Sequence, residues 1–391
     1  MQILNRKRFA GVVMLATLFS ATVSAQSLLP AASPASQLKS AEAKETVKMI
    51  EKVNAYWQSH NKAECRGFWD NAAYFTGNQA AYELTQKPEY LAYALRFANH
   101  NNWKGATERD KSRWEYKTYG EGMRHVLFAD WQICFQIYID LYKLEHRAER
   151  LQRTLEVMCH QAQMPDKDFW WWSDALYMGL PIFTKLYTIT HDQKLLDKQY
   201  ESFCWTDELL FDKEAQLYYR DGKYVYPKVK TACNGGKSFW ARGDGWVLAG
   251  LAKVLQDLPK DSKYRAFYVQ RFQQLAEGVA RTQQEGGYWS RSMLCEDDAP
   301  GYETSGTAFF TYGMLWGVNN GLLNEAQYKP VIDKAWKYLS TVALQEDGSI
   351  GFVQPIGEKP DPTKTVNAHS QAPFGTGAWL LAACEYAKYK K

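Results

Sequence analysis

The chain carries no large excess of charge of either sign. It has 47 Lys and Arg against 43 Asp and Glu in 391 residues. Three of the cations, Arg6, Lys7 and Arg8, lie close to the N-terminus, so the remainder of the chain is nearly neutral. This balance argues against nucleic acid or an anionic membrane surface as the partner.

Cysteine and histidine are both scarce, with seven of each. The cysteines show no Cys-x-x-Cys pair and no other spacing typical of metal ligands. Their odd number leaves at least one thiol free, and most lie on apolar faces. We therefore expect small buried hydrophobic side chains rather than disulfides or metal ligands. The seven are Cys65, Cys134, Cys159, Cys204, Cys233, Cys295 and Cys384.

Long apolar runs are absent apart from "FAGVVMLATLF", which follows the three N-terminal cations. Small residues at Val23 and Ala25 complete the pattern of a secretory signal peptide over residues 1–25. The run is too short to span a bilayer, and no nearby cysteine could carry a lipid. We expect an exported, soluble protein that begins near Gln26, with a flexible Pro/Ala/Ser leader over residues 26–38.

A repeated unit fills the rest of the chain. Six segments open with a polar or glycine-containing turn and continue into small and apolar residues. Between most of them lies a second helix with a single apolar stripe, such as "YRAFYVQRFQQLAEGVA". The six segments are "WDNAAYFTGNQAAYEL", "ADWQICFQIYIDLYKL", "WSDALYMGLPIFTKLY", "RGDGWVLAGLAKVLQ", "ETSGTAFFTYGMLWGV" and "FGTGAWLLAACEYAKY".

Buried and amphipathic helices in sixfold alternation predict an inner and an outer ring. The fold class is therefore all-α, an (α/α)6 barrel that occupies residues 39–391 as one domain. Two short stretches, "GYWSRSM" and "GSIGFVQ", have the pattern of small hairpins at the barrel mouth.

Acidic residues stand at or near the starts of five of the six segments. A single carboxylate there is ordinarily a helix cap or a dipole partner, worth about 0.5–2 kcal/mol. The inner helices run parallel, so these acids meet at one end, together with Trp69, Trp131, Trp172, Trp240 and Trp246. An acidic funnel lined with aromatic rings suits a sugar. The acids are Asp70, Asp130, Asp174, Asp244 and Glu303.

The stretch "DFWWWSD" places three tryptophans before Asp174. We expect Trp170 and Trp171 to pack between the layers of the barrel and Trp172 to face the sugar. Apolar surroundings raise the pKa of a carboxyl group, which suits a group that must donate a proton at neutral pH. Asp174 is therefore the candidate proton donor.

Four motifs resemble glycoside hydrolase family 105, the unsaturated rhamnogalacturonyl hydrolases, which are relatives of the unsaturated glucuronyl hydrolases. They are "WWWSDALYMGLPIF", "FWARGDGWVLAGLAKVLQDLP", "ETSGTAFFTYGMLWGVNNGLL" and "GFVQPIG". The resemblance implies an (α/α)6 barrel that needs no metal or organic cofactor. It also implies removal of the 4,5-unsaturated uronic acid that lyases leave on oligosaccharides, here from pectin.

The resemblance assigns roles to individual residues. Asp174 is the general acid/base, and Asp130 is the second acid, although Trp131 stands where relatives often have another acid. Arg242 and Trp246 contact the uronate in the Trp-x-Arg-x-x-x-Trp motif. The full set of expected substrate-binding residues is Trp69, Asp70, Trp172, Arg220, Trp240, Arg242, Trp246 and Glu303.

The sequence also departs from the family at three places. Arg220 stands where many members have histidine, the basic stretch 222–238 reads either as a lid or as a solvated loop, and His369 lies in a late loop. These departures bear on the sugar beyond the cleaved bond rather than on the chemistry.

That chemistry is hydration of an enol ether. One acid protonates C4, water adds at C5, and the resulting hemiketal opens to expel the aglycone, so a single principal carboxylate suffices. An ordinary glycosidase needs two.

Three other functions stay open at this stage. An unsaturated glucuronyl hydrolase would act on another uronate polymer, such as ulvan or arabinogalactan. A sugar epimerase on a similar barrel would need paired histidines, which are scarce here. A noncatalytic exported glycan-binding protein would use the aromatic rings but has no need of Asp174. Among exported locations, the composition and the substrate class favour the periplasm.

Overall fold

Helices in two alternating environments run through residues 33–391, the part of the chain that the computed structural model describes. The predicted signal peptide and most of the predicted leader lie outside these residues. The inner helices are α2 (Trp69–Thr85), α4 with α5 (Ala129–Gln132 and Cys134–Leu144), α7 with α8 (Ala175–Met178 and Leu180–Thr190), α10 (Ala241–Asp257), α12 (Thr304–Asn319) and α14 (Pro373–Tyr389). The outer helices are α1 (Ala41–His60), α3 (Pro88–His100), α6 (Ala148–Gln163), α9 (Gln193–Leu210), α11 (Arg265–Ala280) and α13 (Glu325–Tyr338).

The two helix types differ in burial as the apolar patterns predict. Every residue of α12 from Thr304 to Gly317 is buried, because this helix has protein on all sides. In α11 the buried residues form a stripe that includes Tyr268, Phe272 and Leu275. A helix of this kind covers a core and faces water.

The inner helices form a closed ring in chain order, with α14 packed against α2. Each outer helix packs on the inner helix that precedes it, except that α1 covers α14. Side chains tie the two chain ends together: the Ser40 hydroxyl donates to the Lys390 carbonyl, and the Tyr386 hydroxyl donates to Glu42. The first and last helices therefore make the sixth pair, and the predicted (α/α)6 barrel is confirmed.

The closing contact brings two helix backbones together. A Cβ atom on Gly77 would lie 2.3 Å from the Gly377 carbonyl oxygen, and one on Gly377 would lie 2.4 Å from the Ala73 carbonyl oxygen. Glycine weakens a helix by about 1 kcal/mol relative to alanine. Here it is needed because no side chain fits where α2 and α14 meet.

A proline interrupts the third inner helix just after the start that carries Asp174. Pro181 has no N–H to donate to the carbonyl of Tyr177, and its ring crowds that carbonyl. The helix breaks at Gly179. The Gln136 side-chain amide donates to the freed Tyr177 carbonyl at 2.7 Å, so the break also joins this helix to its neighbour.

The short strands lie elsewhere than the sequence predicts. The described residues contain one two-stranded sheet, in which β1 (Phe211–Asp212) pairs antiparallel with β2 (Leu217–Tyr218). The stretches "GYWSRSM" and "GSIGFVQ" contribute only single bridges, Ser292 with Trp240 and Ile350 with Leu344. Too few consecutive residues are extended in either stretch to build a hairpin.

Two further observations concern the chain ends and the cysteines. Pro34–Gln37, in the predicted leader, forms a 3₁₀ helix, and Leu38 is buried.

Cys233 and Cys295 form a disulfide, so the expectation that the cysteines are buried thiols is wrong for this pair. Sequence spacing could not reveal it, because folding brings together two loops 62 residues apart. Within residues 33–391 no helix is long and apolar enough to cross a membrane.

Candidate active site

A cavity of about 220 Å³ opens at the end of the barrel where the inner helices begin. Its size admits one sugar ring. Five predicted site residues line it: Trp69, Asp130, Trp172, Asp174 and Arg220. The remaining lining residues are Tyr119, Met178, Ile356, Gly357 and Glu358. The convergence expected from parallel inner helices is therefore found here.

Asp130 and Asp174 are positioned by the starts of two helices, and a backbone bridge supports the second of them. Asp130 lies in the first turn of α4, and Asp174 immediately precedes α7. The preceding Trp172 forms a bridge with Asp221, and the Ser173 N–H donates to the Arg220 carbonyl at 2.7 Å. These backbone contacts place the side chain of residue 220 over the start of α7.

Asp130 and Asp174 are 4% and 8% exposed, and this burial governs their protonation. Burial raises the pKa of Asp130 well above its usual range, and the nearby charge of Asp174 raises it further. Burial also raises the pKa of Asp174, against the opposing effect of Arg220 and Arg242. Two such carboxyl groups titrate as a coupled pair. The charge of Arg220 lowers the pKa of both carboxyl groups, but burial outweighs it, so both pKa values lie above the usual range.

Arg220 lines the cavity, and part of its guanidinium makes no hydrogen bond within the described part of the chain. Its Nη1 lies 2.7 Å from Asp221 Oδ2 and 3.5 Å from Glu358 Oε2, and its Nε lies 3.5 Å from Asp174 Oδ2. Within residues 33–391, neither Nε nor Nη2 makes a hydrogen bond. These two groups form one edge of the guanidinium, which can bind a carboxylate with two parallel hydrogen bonds.

Arg242 lies behind the cavity wall. Its guanidinium is sandwiched between the rings of Trp240 and Phe374, 4.6 Å from each centroid. It donates to the carbonyls of Gln354 at 2.6 Å and Pro355 at 2.9 Å. Burial lowers the pKa of Arg242 to about 10. The structure therefore does not bring Arg242 to the cavity surface, where the family resemblance predicts a contact with the substrate.

Three predicted aromatic residues of this end also belong to the packing. Trp246 lies beneath the cavity, 4.3 Å from the ring of Phe309 and 4.9 Å from that of Tyr177. Trp240 is buried and donates to the Gln354 side chain at 2.9 Å. Trp131 is buried against Phe68. None of the three lines the cavity.

Of the tryptophan run, Trp170 is fully buried and Trp171 is half-buried, with its indole N–H donating to the Tyr116 carbonyl. Trp172 stacks on Phe128 at 4.6 Å and lines the cavity.

Three of the predicted acids have structural partners. Glu303 caps α12, where it accepts from the backbone N–H groups of Ser305 and Gly306. Asp244 is fully buried and accepts from the Tyr218 N–H at 2.7 Å. Asp70 pairs with Arg66 at 3.1 Å. Of the five acids at helix starts, only Asp130 and Asp174 therefore line the cavity.

Glu358 is the charged residue among the five cavity residues that sequence reasoning missed. It lies just beyond the quoted motif "GFVQPIG", in a loop with no periodic pattern. Its carboxylate accepts from the Tyr224 hydroxyl at 2.9 Å and from Lys223 Nζ at 3.2 Å. The basic loop 222–238 therefore reaches across the mouth to this residue, and the Cys233–Cys295 disulfide anchors its far end.

His369 is exposed. Residues 33–391 contain no group of His, Cys, Asp and Glu arranged to hold a metal ion.

Comparisons with known proteins agree on one family. The model described as Glycosyl Hydrolase Family 88 matches residues 41–390. The unsaturated 3S-rhamnoglycuronyl hydrolase of Formosa agariphila is 34% identical over 340 residues, which cover 83% of this chain and 85% of that protein.

Solved structures extend the comparison. A glycosyl hydrolase family 88 structure from Bacteroides vulgatus is 50% identical, with a TM-score of 0.86 over 89% of this chain and 99% of that one. A structure named as a polysaccharide lyase is 58% identical, with a TM-score of 0.86 over 89% and 98%. A family 105 glycoside hydrolase from C. acetobutylicum, 21% identical over 87% and 98%, shares the fold with a TM-score of 0.68.

The position of Arg242 predicts a loss of stability when it is replaced. Arg242→Lys keeps the charge but cannot fill the aromatic sandwich and reach both backbone carbonyls. We expect the free energy of unfolding to fall by about 1.5–3 kcal/mol, with faster proteolysis of the segment after Gln354. Denaturant unfolding and limited proteolysis measure both effects. An Arg242→Lys protein of parental stability would contradict this assignment.

The raised pKa of Asp130 predicts a pH-dependent cost to stability. The folded state disfavours the charged form, so Asp130→Asn should raise the unfolding temperature at neutral pH. The increase in unfolding temperature should be largest above the folded-state pKa of Asp130. It should vanish as the pH falls toward the pKa of an aspartate in the unfolded chain, near 3.9. Thermal unfolding at about pH 7.5, 5.5 and 4 tests this. The exposed Asp261 provides the control, since Asp261→Asn should have no effect at any pH. A lower unfolding temperature for Asp130→Asn at neutral pH would refute the prediction.

Proposed function

The chain belongs to glycosyl hydrolase family 88, and on that premise we propose that it removes a 4,5-unsaturated uronic acid from the non-reducing end of lyase-generated oligosaccharides. The resemblance inferred from the motifs is confirmed by the family match and by the shared fold of the family 105 enzyme. The chain is a glycoside hydrolase. Its substrate is proposed from the name of the Formosa relative and from the chemistry of the cavity.

One observation carries the proposal: two buried carboxyl groups with raised pKa values share a one-sugar cavity with an arginine that has a free edge. A carboxyl group that keeps its proton near neutral pH can act as a general acid. An unsaturated uronide needs that acid at C4 of its double bond. It also needs a cation for its carboxylate, which Arg220 supplies.

The roles follow from these contacts. Arg220 binds the uronate through Nε and Nη2, while Trp69 and Trp172 flank the flat unsaturated ring. The bound carboxylate offsets the charge of Arg220, which otherwise lowers the pKa of Asp174. The pKa of Asp174 then rises further, and Asp174 donates its proton to C4. Water adds at C5 and gives its own proton to the Asp130–Asp174 pair, which restores the proton that Asp174 lost. The resulting hemiketal opens and expels the aglycone.

The sugar beyond the cleaved bond, the aglycone, distinguishes an unsaturated rhamnogalacturonyl hydrolase from an unsaturated glucuronyl hydrolase. The Formosa relative is named for a rhamnoglycuronyl substrate, which favours a uronate linked to rhamnose. Lyase digests of rhamnogalacturonan, a pectic polymer, of ulvan and of glycosaminoglycans distinguish the alternatives. Activity follows as loss of the ultraviolet absorbance of the enol ether, and the preferred digest identifies the polymer.

A second candidate activity has one observation in its favour, the 58% identical structure named as a polysaccharide lyase. A lyase creates the enol-ether absorbance, whereas the proposed hydrolase removes it. Elimination begins with a base that abstracts the C5 proton. The raised pKa values of Asp130 and Asp174 favour a proton donor instead. Rising absorbance on intact polysaccharide would establish the lyase, and no change on any substrate would leave only glycan binding.

Export to the periplasm is also proposed. The charged, apolar and small-residue order of residues 1–25 supports it, and so does the Cys233–Cys295 disulfide, since such bonds persist in oxidising compartments. Mass spectrometry of periplasmic protein should find an N-terminus near Gln26. Under nonreducing conditions the mass should be two hydrogens below that of the fully reduced chain. Uncleaved Met1 in exported material would contradict the proposal.

Asp174→Asn is the sharpest test of the chemistry, because asparagine keeps the size of the side chain and removes the acid. We expect kcat to fall about 10²–10⁴-fold with little change in binding, since the lost interaction belongs to the transition state. Asp244→Asn is the matched control: it removes another buried acid at a helix start but should retain activity in the folded protein.

Isotope labelling tests the same mechanism independently. Reaction in D₂O should place deuterium at C4 of the released keto sugar, and H₂¹⁸O should label C5. Label at C1 would indicate direct attack at the anomeric carbon. Either that result or a near-active Asp174→Asn enzyme would overturn the assignment of Asp174.

A further inference from the structure

Three carboxylates surround the guanidinium of Arg220, and they differ in how firmly they are held. Asp174 is buried at the start of α7. Asp221 is 2% exposed, and its carboxylate also accepts from the Lys223 N–H at 2.7 Å. The Glu358 side chain is 48% exposed and lies on a loop. Glu358 is therefore the carboxylate that water can hydrate most readily when it leaves Arg220.

The contacts of Glu358 all lead to one short segment. Within residues 33–391 its carboxylate contacts Arg220, Lys223 and Tyr224, and it accepts no backbone N–H. Burial raises the pKa of Glu358, but the hydrogen bonds from Tyr224 and Lys223 and the charge of Arg220 lower it by more, so the pKa is lowered overall. The residue is ionised at neutral pH, and it neither caps a helix nor supports the core.

A substrate carboxylate changes this balance. With a uronate bound, Arg220 would face the substrate carboxylate together with those of Asp221 and Glu358 in a largely buried site, even with Asp174 protonated. Like charges at this distance repel strongly where water is excluded. Withdrawal of Glu358 relieves the repulsion. Hydration of this half-exposed carboxylate offsets the loss of the Tyr224 hydrogen bond, and the exposed Lys223 can follow it outward.

We infer that Glu358 is a stand-in for the substrate carboxylate: it neutralises Arg220 in the free enzyme and is displaced when an anionic sugar binds. This inference rests on the proposed function and adds a determinant of specificity to it. Only a ligand with its own carboxylate can replace the interaction that Glu358 gives up. A neutral sugar would leave Glu358 in place across the mouth.

Kinetics of Glu358→Gln test the inference. Glutamine keeps the length of the side chain and removes the charge that competes for Arg220. We expect KM for an unsaturated uronide to fall about threefold or more, with kcat within about twofold of the parent. The matched control is Glu325→Gln, which removes another carboxylate that accepts from a tyrosine hydroxyl, at the far end of the barrel. Its KM should equal that of the parent.

A binding measurement separates this inference from the proposed function. The fluorescence of Trp69 and Trp172 reports on the cavity, and sodium glucuronate and its neutral methyl ester are the probes. Glu358→Gln should bind glucuronate about threefold or more tightly than the parent and the ester no better. The gain should disappear when Arg220→Gln is combined with Glu358→Gln.

The outcomes are distinct. Unchanged or weaker glucuronate binding by Glu358→Gln would overturn the stand-in role, even if the parent enzyme hydrolyses unsaturated uronides. Absence of saturable glucuronate binding by both proteins would also overturn it. Failure of the parent enzyme to consume any lyase digest would instead refute the proposed function, whatever the binding result.

Discussion

Burial of Asp130 and Asp174 in one small cavity is the constraint on which the rest of the site depends. Two carboxylates cannot both be charged there without a large loss of hydration and strong mutual repulsion. Both aspartates lie at the starts of helices, where the backbone favours negative charge, and Arg220 lies beside Asp174. Burial outweighs these groups and raises the pKa of both aspartates, which favours the proton donor that enol-ether hydration requires.

The two arginines of this end divide structure and recognition between them. Arg242 is fully buried, and its Nη1 and Nη2 groups donate to the carbonyls of Gln354 and Pro355. It fixes the segment that leads to Ile356 and Glu358 and supports the cavity wall from behind. Among the described residues, both arginines have an Nε without a hydrogen-bond partner, but only Arg220 lines the cavity. Only its donors are therefore placed for a ligand.

The barrel and its loops contribute different parts of the chemistry. The inner helices supply the acids and the aromatic base of the cavity, and their positions follow from the ring. The loops supply the charges at the cavity mouth: Arg220 precedes the basic loop 222–238, and Glu358 lies opposite it. The Cys233–Cys295 disulfide anchors that loop. The barrel thus accounts for the reaction, while the loops account for which sugar reaches it.

The sequence alone determined the architecture. Helices that are apolar on all sides alternate with helices that have one apolar stripe, and few arrangements other than two concentric helical rings accommodate that alternation. It also located the acids and Trp172, since residues at helix starts must share one end of a barrel with parallel inner helices. Tertiary structure alone decided which of these groups face the cavity. Glu303 and Asp244 have structural roles because their carboxylates accept hydrogen bonds from nearby backbone N–H groups. Arg242 has a structural role because two aromatic rings enclose it. Glu358 and the disulfide depend on contacts between loops far apart in the chain. Loop residues have no period from which a direction can be read, so only the folded chain shows what they touch.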